Sequence, residues 1–150
     1  MIWVVIANSN DSRIYHYDKN HSHLTLIKEI NHPELKLKTS EIFTSDRPGK
    51  YQSNNSARGA YSPHMDPKEV EIDKFSREIA LELNKGRNAH AYDKLILITP
   101  PHMNGLIYKH LDEHVKNLVI NNIQKDLQHF NTNELLNFLK SHTQYPDTSN

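Results

Sequence analysis

Leu95-Ile96-Leu97-Ile98-Thr99-Pro100-Pro101 is the stretch whose reading decides the fold. Four β-branched or leucine side chains follow one another with no polar alternation. A run of that kind, lying between two helical patterns, predicts a central parallel strand covered on both faces. The two prolines cannot continue a sheet ladder, so they predict its end.

Upstream of that strand, Asp66-Pro67-Lys68-Glu69 predicts a helix start. Asp66 is suited to cap, Pro67 to the first turn, and Glu69 completes a capping-box pattern. Ile72, Phe75, Ile79 and Leu83 follow at helical spacing, and Gly86 is read as the stop. Downstream, Met103 to His114 reads as a second helix with Leu106, Ile107 and Leu111 on its apolar side. Leu118-Val119-Ile120 reads as a short fifth strand. Asn131 and Glu134 form another capping-box pattern before a last helix that ends near Ser141.

The first thirty residues lack helical periodicity. Ile2 to Ala7 predicts a buried strand, Arg13 to Tyr17 a second, and Leu24 to Ile30 a third. Leu24 and Leu26 are expected on one face of the third strand, with Thr25, Ile27 and Glu29 on the other. The turns Asn8 to Asp11 and Asp18 to Asn20 are short enough to make the three strands antiparallel neighbours. His32-Pro33-Glu34-Leu35 is read as one helical turn. From Thr39 to Met65 no period survives. The expected architecture is α/β: a five-stranded mixed sheet, three antiparallel strands and then two parallel ones, with helices on its faces. Ribonuclease-H-like and release-factor-middle-domain folds share this plan. One domain over 1–142 is expected, with a long loop at 39–65 and a polar tail at 143–150.

Composition narrows the function classes. The 150 residues carry 18 Lys plus Arg and 18 Asp plus Glu, so the net charge is zero with His neutral. A sequence-independent nucleic-acid binder is usually basic, so any nucleic-acid contact has to be local. There is no cysteine, which excludes disulfides and thiolate metal sites. The N-terminal apolar run ends at Asn8, too short for a signal peptide, and no stretch reaches the roughly 20 apolar residues of a membrane span. A cytoplasmic location with no membrane contact is the expectation.

Ser45-Asp46-Arg47-Pro48-Gly49-Lys50, Phe75-Ser76-Arg77-Glu78-Ile79-Ala80, Tyr92-Asp93-Lys94-Leu95, Thr99-Pro100-Pro101, Asn104-Gly105-Leu106 and Lys125-Asp126-Leu127 occur in that order. This ordered set resembles the bacterial host attachment protein family, which usually continues the last motif with Thr where this chain has Gln128. The family in turn resembles the middle domain of archaeal and eukaryotic class-1 peptide release factors. There, a Gly-Gly-Gln loop before a long helix promotes peptidyl-tRNA hydrolysis. Here Gly49-Lys50-Tyr51-Gln52-Ser53 stands at that place without the paired glycines, so the resemblance implies a shared fold more than a shared reaction.

The candidate binding segment is Arg47 to Tyr61, with Arg47, Lys50 and Arg58 among Tyr51, Gln52, Ser53 and Tyr61 and no acid. Aromatic rings stack on bases while Arg and Lys meet phosphates, so RNA, tRNA or a ribosome is the candidate partner, beside the plain solvated loop that so thin an electrostatic footprint favours. The alternatives are a hydrolase acting on an ester or peptidyl-tRNA, with Gln52 positioning water, and a module that orders on a protein partner.

Other candidates weigh less. His110 and His114 stand at i and i+4, but Leu111 occupies the place where the zinc-protease helix needs Glu, so a surface pair is preferred and no metal is expected. His21 and His23 flank a turn. A two-metal nuclease needs sheet carboxylates, and Ile2 to Ala7 has none. His102, past the end of the central strand, is a candidate acid–base group with no visible nucleophile. Lys125-Asp126 is read as an ion pair or a cap for the last helix. No cofactor is expected.

Overall fold

A computed structural model describes residues 1–32 and 66–142. The elements are β1 (Ile2–Ala7), β2 (Asp11–Asp18), β3 (His23–Asn31), α1 (Pro67–Asn88), β4 (Lys94–Ile98), α2 (Pro101–His110), α3 (Glu113–Lys116), β5 (Val119–Ile123) and α4 (Thr132–His142). The five strands form one mixed sheet in the order β3-β2-β1-β4-β5. β1 pairs antiparallel with β2 and parallel with β4, and β5 joins β4 in parallel. The α/β architecture expected from the order of patterns is the one observed.

β1 and β4 lie inside the sheet and are covered on both sides, which is why neither alternates. Trp3, Val5, Ala7, Leu95 and Leu97 face a core roofed by Phe75, Ile79 and Leu83 of α1 and by Met103 and Ile107 of α2. Ile2, Val4, Ile6, Ile96 and Ile98 face the opposite core, closed by Leu127 and by Leu135 and Leu139 of α4. Val4, Val5, Ile6 and Leu95 through Ile98 are fully buried. Each such side chain stabilises the fold by up to about 1.5–3 kcal/mol.

Several boundaries differ from the sequence reading, each for a local reason. α1 runs through Gly86 to Asn88. The glycine is needed for a close contact with Trp3 instead of for a stop. Termination falls to His90, whose φ is 60°. Its N–H donates to Arg87 O and that of Ala91 to Gly86 O, the two bonds that close a left-handed helix end.

The second helix stops at His110. Leu111 is extended, and the one-turn α3 follows with Val115 buried. β3 carries an extra residue, Ile27, because Ile14 pairs with Lys28 and Tyr15 with Leu26. That bulge shifts the alternation by one, so Glu29 joins Leu24 and Leu26 on one face instead of opposing them. β5 continues past Ile120 to Ile123, with a similar irregularity opposite Leu95/Ile96.

Asp66 accepts from Glu69 N at 2.8 Å and so caps α1. Asn131 and Glu134 exchange two bonds of 2.8 Å, the reciprocal capping box before α4. The expected loop at 39–65, the turn beyond His32 and the tail at 143–150 lie outside the described residues. Among those described, no helix is long and apolar enough to cross a membrane.

Candidate functional site at the carboxyl rim of the sheet

β1, β3, β4 and β5 all run in the same direction, because each of β1 and β3 is antiparallel to β2 and the other two are parallel to β1. Their carboxyl ends therefore share one rim. The β1–β2 turn closes there, with Asn8 Oδ1 accepting from Asn10 N and Asp11 N at 2.9 and 3.1 Å. α1 and α2 also begin at this end, where Glu69 Oε1 lies 3.1 Å from His102 Nε2. Open α/β sheets bind ligands preferentially at such a rim, near the strand where the connections diverge.

Buried polar groups concentrate beneath it. Thr99 is fully buried, and its Oγ1 accepts from Asn104 Nδ2 at 3.1 Å. The same Nδ2 donates to Asn122 Oδ1 at 2.6 Å, and Asn122 Nδ2 returns a bond of 3.3 Å to Asn104 Oδ1. This network ties the end of β4, the start of α2 and edge strand β5 together. It also joins two of the motifs that carry the family resemblance, Thr99-Pro100-Pro101 and Asn104-Gly105-Leu106.

A third motif, Lys125-Asp126-Leu127, reaches the same rim from the other side. Asp126 accepts from Gln128 N at 3.1 Å, and its two oxygens lie 3.5 Å from Asn8 Nδ2. Asp126 thus caps the turn into Gln128 and bridges to the end of β1, instead of capping the last helix. Gln128 is held by Arg13, whose Nη2 donates to the Gln128 carbonyl at 2.8 Å and to its side-chain Oε1 at 3.2 Å. Arg13 Nη1 also reaches Tyr15 OH at 2.9 Å.

On the α1 side, His32 is 7% exposed and stacks on Phe75 with ring centroids 5.0 Å apart. Its Nε2 lies 3.3 Å from Glu71 Oε1, outside hydrogen-bonding geometry. Lys74 stands 3.6 Å from the other Glu71 oxygen. Ser12 Oγ is buried with no hydrogen-bond partner among the described residues.

The sequence-derived candidates separate clearly. Arg47, Lys50, Tyr51, Gln52, Ser53, Arg58 and Tyr61 lie outside the described residues. His110 and His114 do not share a helix face. His110 Nε2 bonds Asp73 Oδ1 at 3.0 Å across to α1, while His114 belongs to α3. That bond, helped by Lys109, holds the Asp73 carboxyl below its ordinary range despite some burial.

His21 closes a turn by bonding Asp18 at 2.9 Å. His102 is placed at the rim, but its partner Glu69 and the ring itself are largely exposed. Among the described residues no group of three His, Cys, Asp or Glu is arranged to hold a metal ion. Sequence reading missed the Thr99–Asn104–Asn122 network, the Arg13–Gln128 clasp and the buried His32–Glu71 pair. Only the departure at Gln128 and the Asn104 motif signalled any of them.

The geometry defines a mixed-sheet α/β domain whose polar carboxyl rim is closed by its own side chains. The chain belongs to the family described as "Protein required for attachment to host cells", whose model matches residues 3–139. A solved structure titled "Archaeal protein" is similar in fold, with a TM-score of 0.51 at 12% identity over 95% of this chain. This chain covers 34% of that protein's length. A comparison with curated proteins finds no match.

Proposed function

We propose that this host-attachment-family domain binds RNA, alone or on a ribosome, through the Arg47–Tyr61 segment, and that it acts without strong catalysis. The observation that carries this reading is connectivity. The described chain leaves the rim at His32, whose N–H bonds Asn10 O at 3.0 Å, and rejoins it at the Asp66 cap of α1. Residues 33–65 join those two points, and they include a stretch, 47–61, with three cations, two tyrosines and no acid.

The rim itself supplies little positive charge. Asp66, Glu69, Glu71 and Asp126 offset Arg13, Lys74 and Lys125, so the proposal assigns the attraction for phosphate to Arg47, Lys50 and Arg58. Tyr51 and Tyr61 would add base stacking. Kinship with release-factor middle domains is part of the same proposal and is supported by the ordered motifs and the element order. Peptide release is left out of it, because Lys50-Tyr51 replaces the paired glycines that permit close backbone approach. A role in attachment to host cells is then indirect.

The test is salt-titrated binding to single-stranded RNA, with ribosome co-sedimentation alongside. Replacing Arg47, Lys50 and Arg58 together by Ala should weaken binding and lower the slope of log affinity against log salt by about 2. Equal binding by both proteins, or none by either, overturns the RNA reading. The competing hydrolase reading requires turnover of an ester or peptidyl-tRNA that Gln52→Ala reduces.

A further inference from the structure

We propose that Asn104 is a self-modification site. When the first turn of α2 opens transiently, the Asn104 side chain cyclises onto the backbone nitrogen of Gly105 and hydrolyses to aspartate or isoaspartate, which loosens the tie between α2 and β5. This goes beyond RNA binding and does not depend on it.

Asn104-Gly105 is the only Asn-Gly step in the 150 residues. A glycine after asparagine suits this chemistry, because no side chain shields the attacking nitrogen and the backbone bends freely. Its placement here has no packing reason. Gly105 stands inside α2, where glycine is the poorest helix former after proline. It is exposed, and a β-carbon built on it meets no atom of the described residues within 4 Å. The other helical glycine, Gly86, is required by its contact with Trp3.

The folded domain holds Asn104 where it cannot react. The residue is buried, and both hydrogens of its Nδ2 are used, on Thr99 Oγ1 at 3.1 Å and on Asn122 Oδ1 at 2.6 Å. Its Oδ1 accepts from Asn122 Nδ2 at 3.3 Å. Helical backbone also turns the Gly105 N–H toward the carbonyl four residues earlier, away from the Asn104 side chain. Cyclisation therefore needs the turn to open and the side chain to leave its partners. That turn is the weakly fastened end of α2, since its cap residue is Pro100, which supplies no side-chain bond.

The Gly105 nitrogen bonds Asn104 Cγ, and Nδ2 leaves as ammonia with the proton that the nitrogen gives up. Water then opens the imide ring. Attack at Cγ yields aspartate, and attack at the backbone carbonyl yields isoaspartate, which lengthens the helix backbone by a carbon. Either product replaces the donor Nδ2 with an acceptor oxygen. The reciprocal pair of bonds with Asn122 cannot persist, because acceptor would face acceptor in a largely buried setting.

Ageing the full chain in mildly alkaline buffer, with peptide mapping that separates asparagine, aspartate and isoaspartate at position 104, tests the proposal. The urea-unfolded chain should convert quickly and the folded wild type slowly. Asn122→Ala should speed conversion in the folded state at least about tenfold, the rise in open population expected when two bonds to a buried amide are lost. Thr99→Val, which removes the other acceptor, should speed it by a smaller factor. Asn122 is exposed, and circular dichroism checks that both variants remain folded. Gly105→Ala should suppress conversion in every state. Amide exchange over Val119–Ile123 should quicken as the converted fraction grows. Equal rates in wild type and both network variants, a folded wild type that converts as fast as the unfolded chain, or no conversion in any folded protein overturns the proposal. So does conversion undiminished in Gly105→Ala, or exchange in β5 that ignores conversion.

Discussion

The far edge of the Trp3 ring lies directly over Gly86. A β-carbon built on Gly86 would stand 2.7 Å from Trp3 Cη2 and 2.8 Å from Cζ3. The ring cannot move aside freely, because Tyr92 packs against it with centroids 4.7 Å apart.

Gly86→Ala sets two effects against each other. Helix propensity favours Ala by about 1 kcal/mol. Forcing a methyl into a packed ring contact costs about 1–3 kcal/mol. The rigid Trp3–Tyr92 pair makes the second effect win, so the urea midpoint should fall. A gain in stability would show that Trp3 can shift.

His90 holds a left-handed conformation at the end of α1 with φ 60°, and its side chain is exposed. A residue bearing a β-carbon loses about 1–2 kcal/mol there, and glycine regains part of it at a cost in unfolded-chain entropy. His90→Gly should stabilise the domain by about 0.5–1 kcal/mol, and His90→Val should destabilise it. Chemical unfolding with an unchanged denaturant slope is the measurement.

Tyr92 is buried, its hydroxyl donates to Leu83 O at 2.6 Å, and burial pushes its pKa up to about 12. In the unfolded chain the phenol ionises near 10. Stability is therefore fully present below about pH 10 and is lost as pH rises toward about 12, since only the unfolded state releases the proton in that window. Burial raises Tyr108 as well, adding to the same slope. Tyr92→Phe should cost about 1 kcal/mol at neutral pH and flatten the alkaline fall. Urea midpoints measured between pH 8 and 11 decide it.

Asp73 behaves in the opposite sense. Its carboxyl is held below the ordinary range, chiefly by the hydrogen bond to His110. The stability it contributes is present above the ordinary carboxylate range and is lost as pH falls through the lowered folded value. Asp73→Asn should cost about 1 kcal/mol at pH 7, and the penalty should shrink as the wild type becomes protonated in acid. A penalty independent of pH would refute the charge-based account.

Apolar runs and caps were legible in the residue order, because they act within one element or between an element and water. Leu95 through Ile98 announced a strand buried on both sides, Asp66-Pro67 announced where α1 begins, and Asn131 with Glu134 announced α4. The segment that bears the proposed RNA contact was legible only as composition. Partners across the sheet were not legible, because they depend on which chain segments become neighbours. Gly86 looks like a helix stop until Trp3 arrives from 83 positions earlier. Ile27 looks like one more alternating residue until β2 fixes the register and makes it a bulge. The meeting of Thr99 with Asn104 and Asn122, the clasp of Arg13 on Gln128 and the burial of His32 against Phe75 exist only because the carboxyl ends of the strands share a rim. Local chemistry specified the pieces. Long-range packing, in which hydrogen-bonding groups must find partners once water is excluded, decided what those pieces touch.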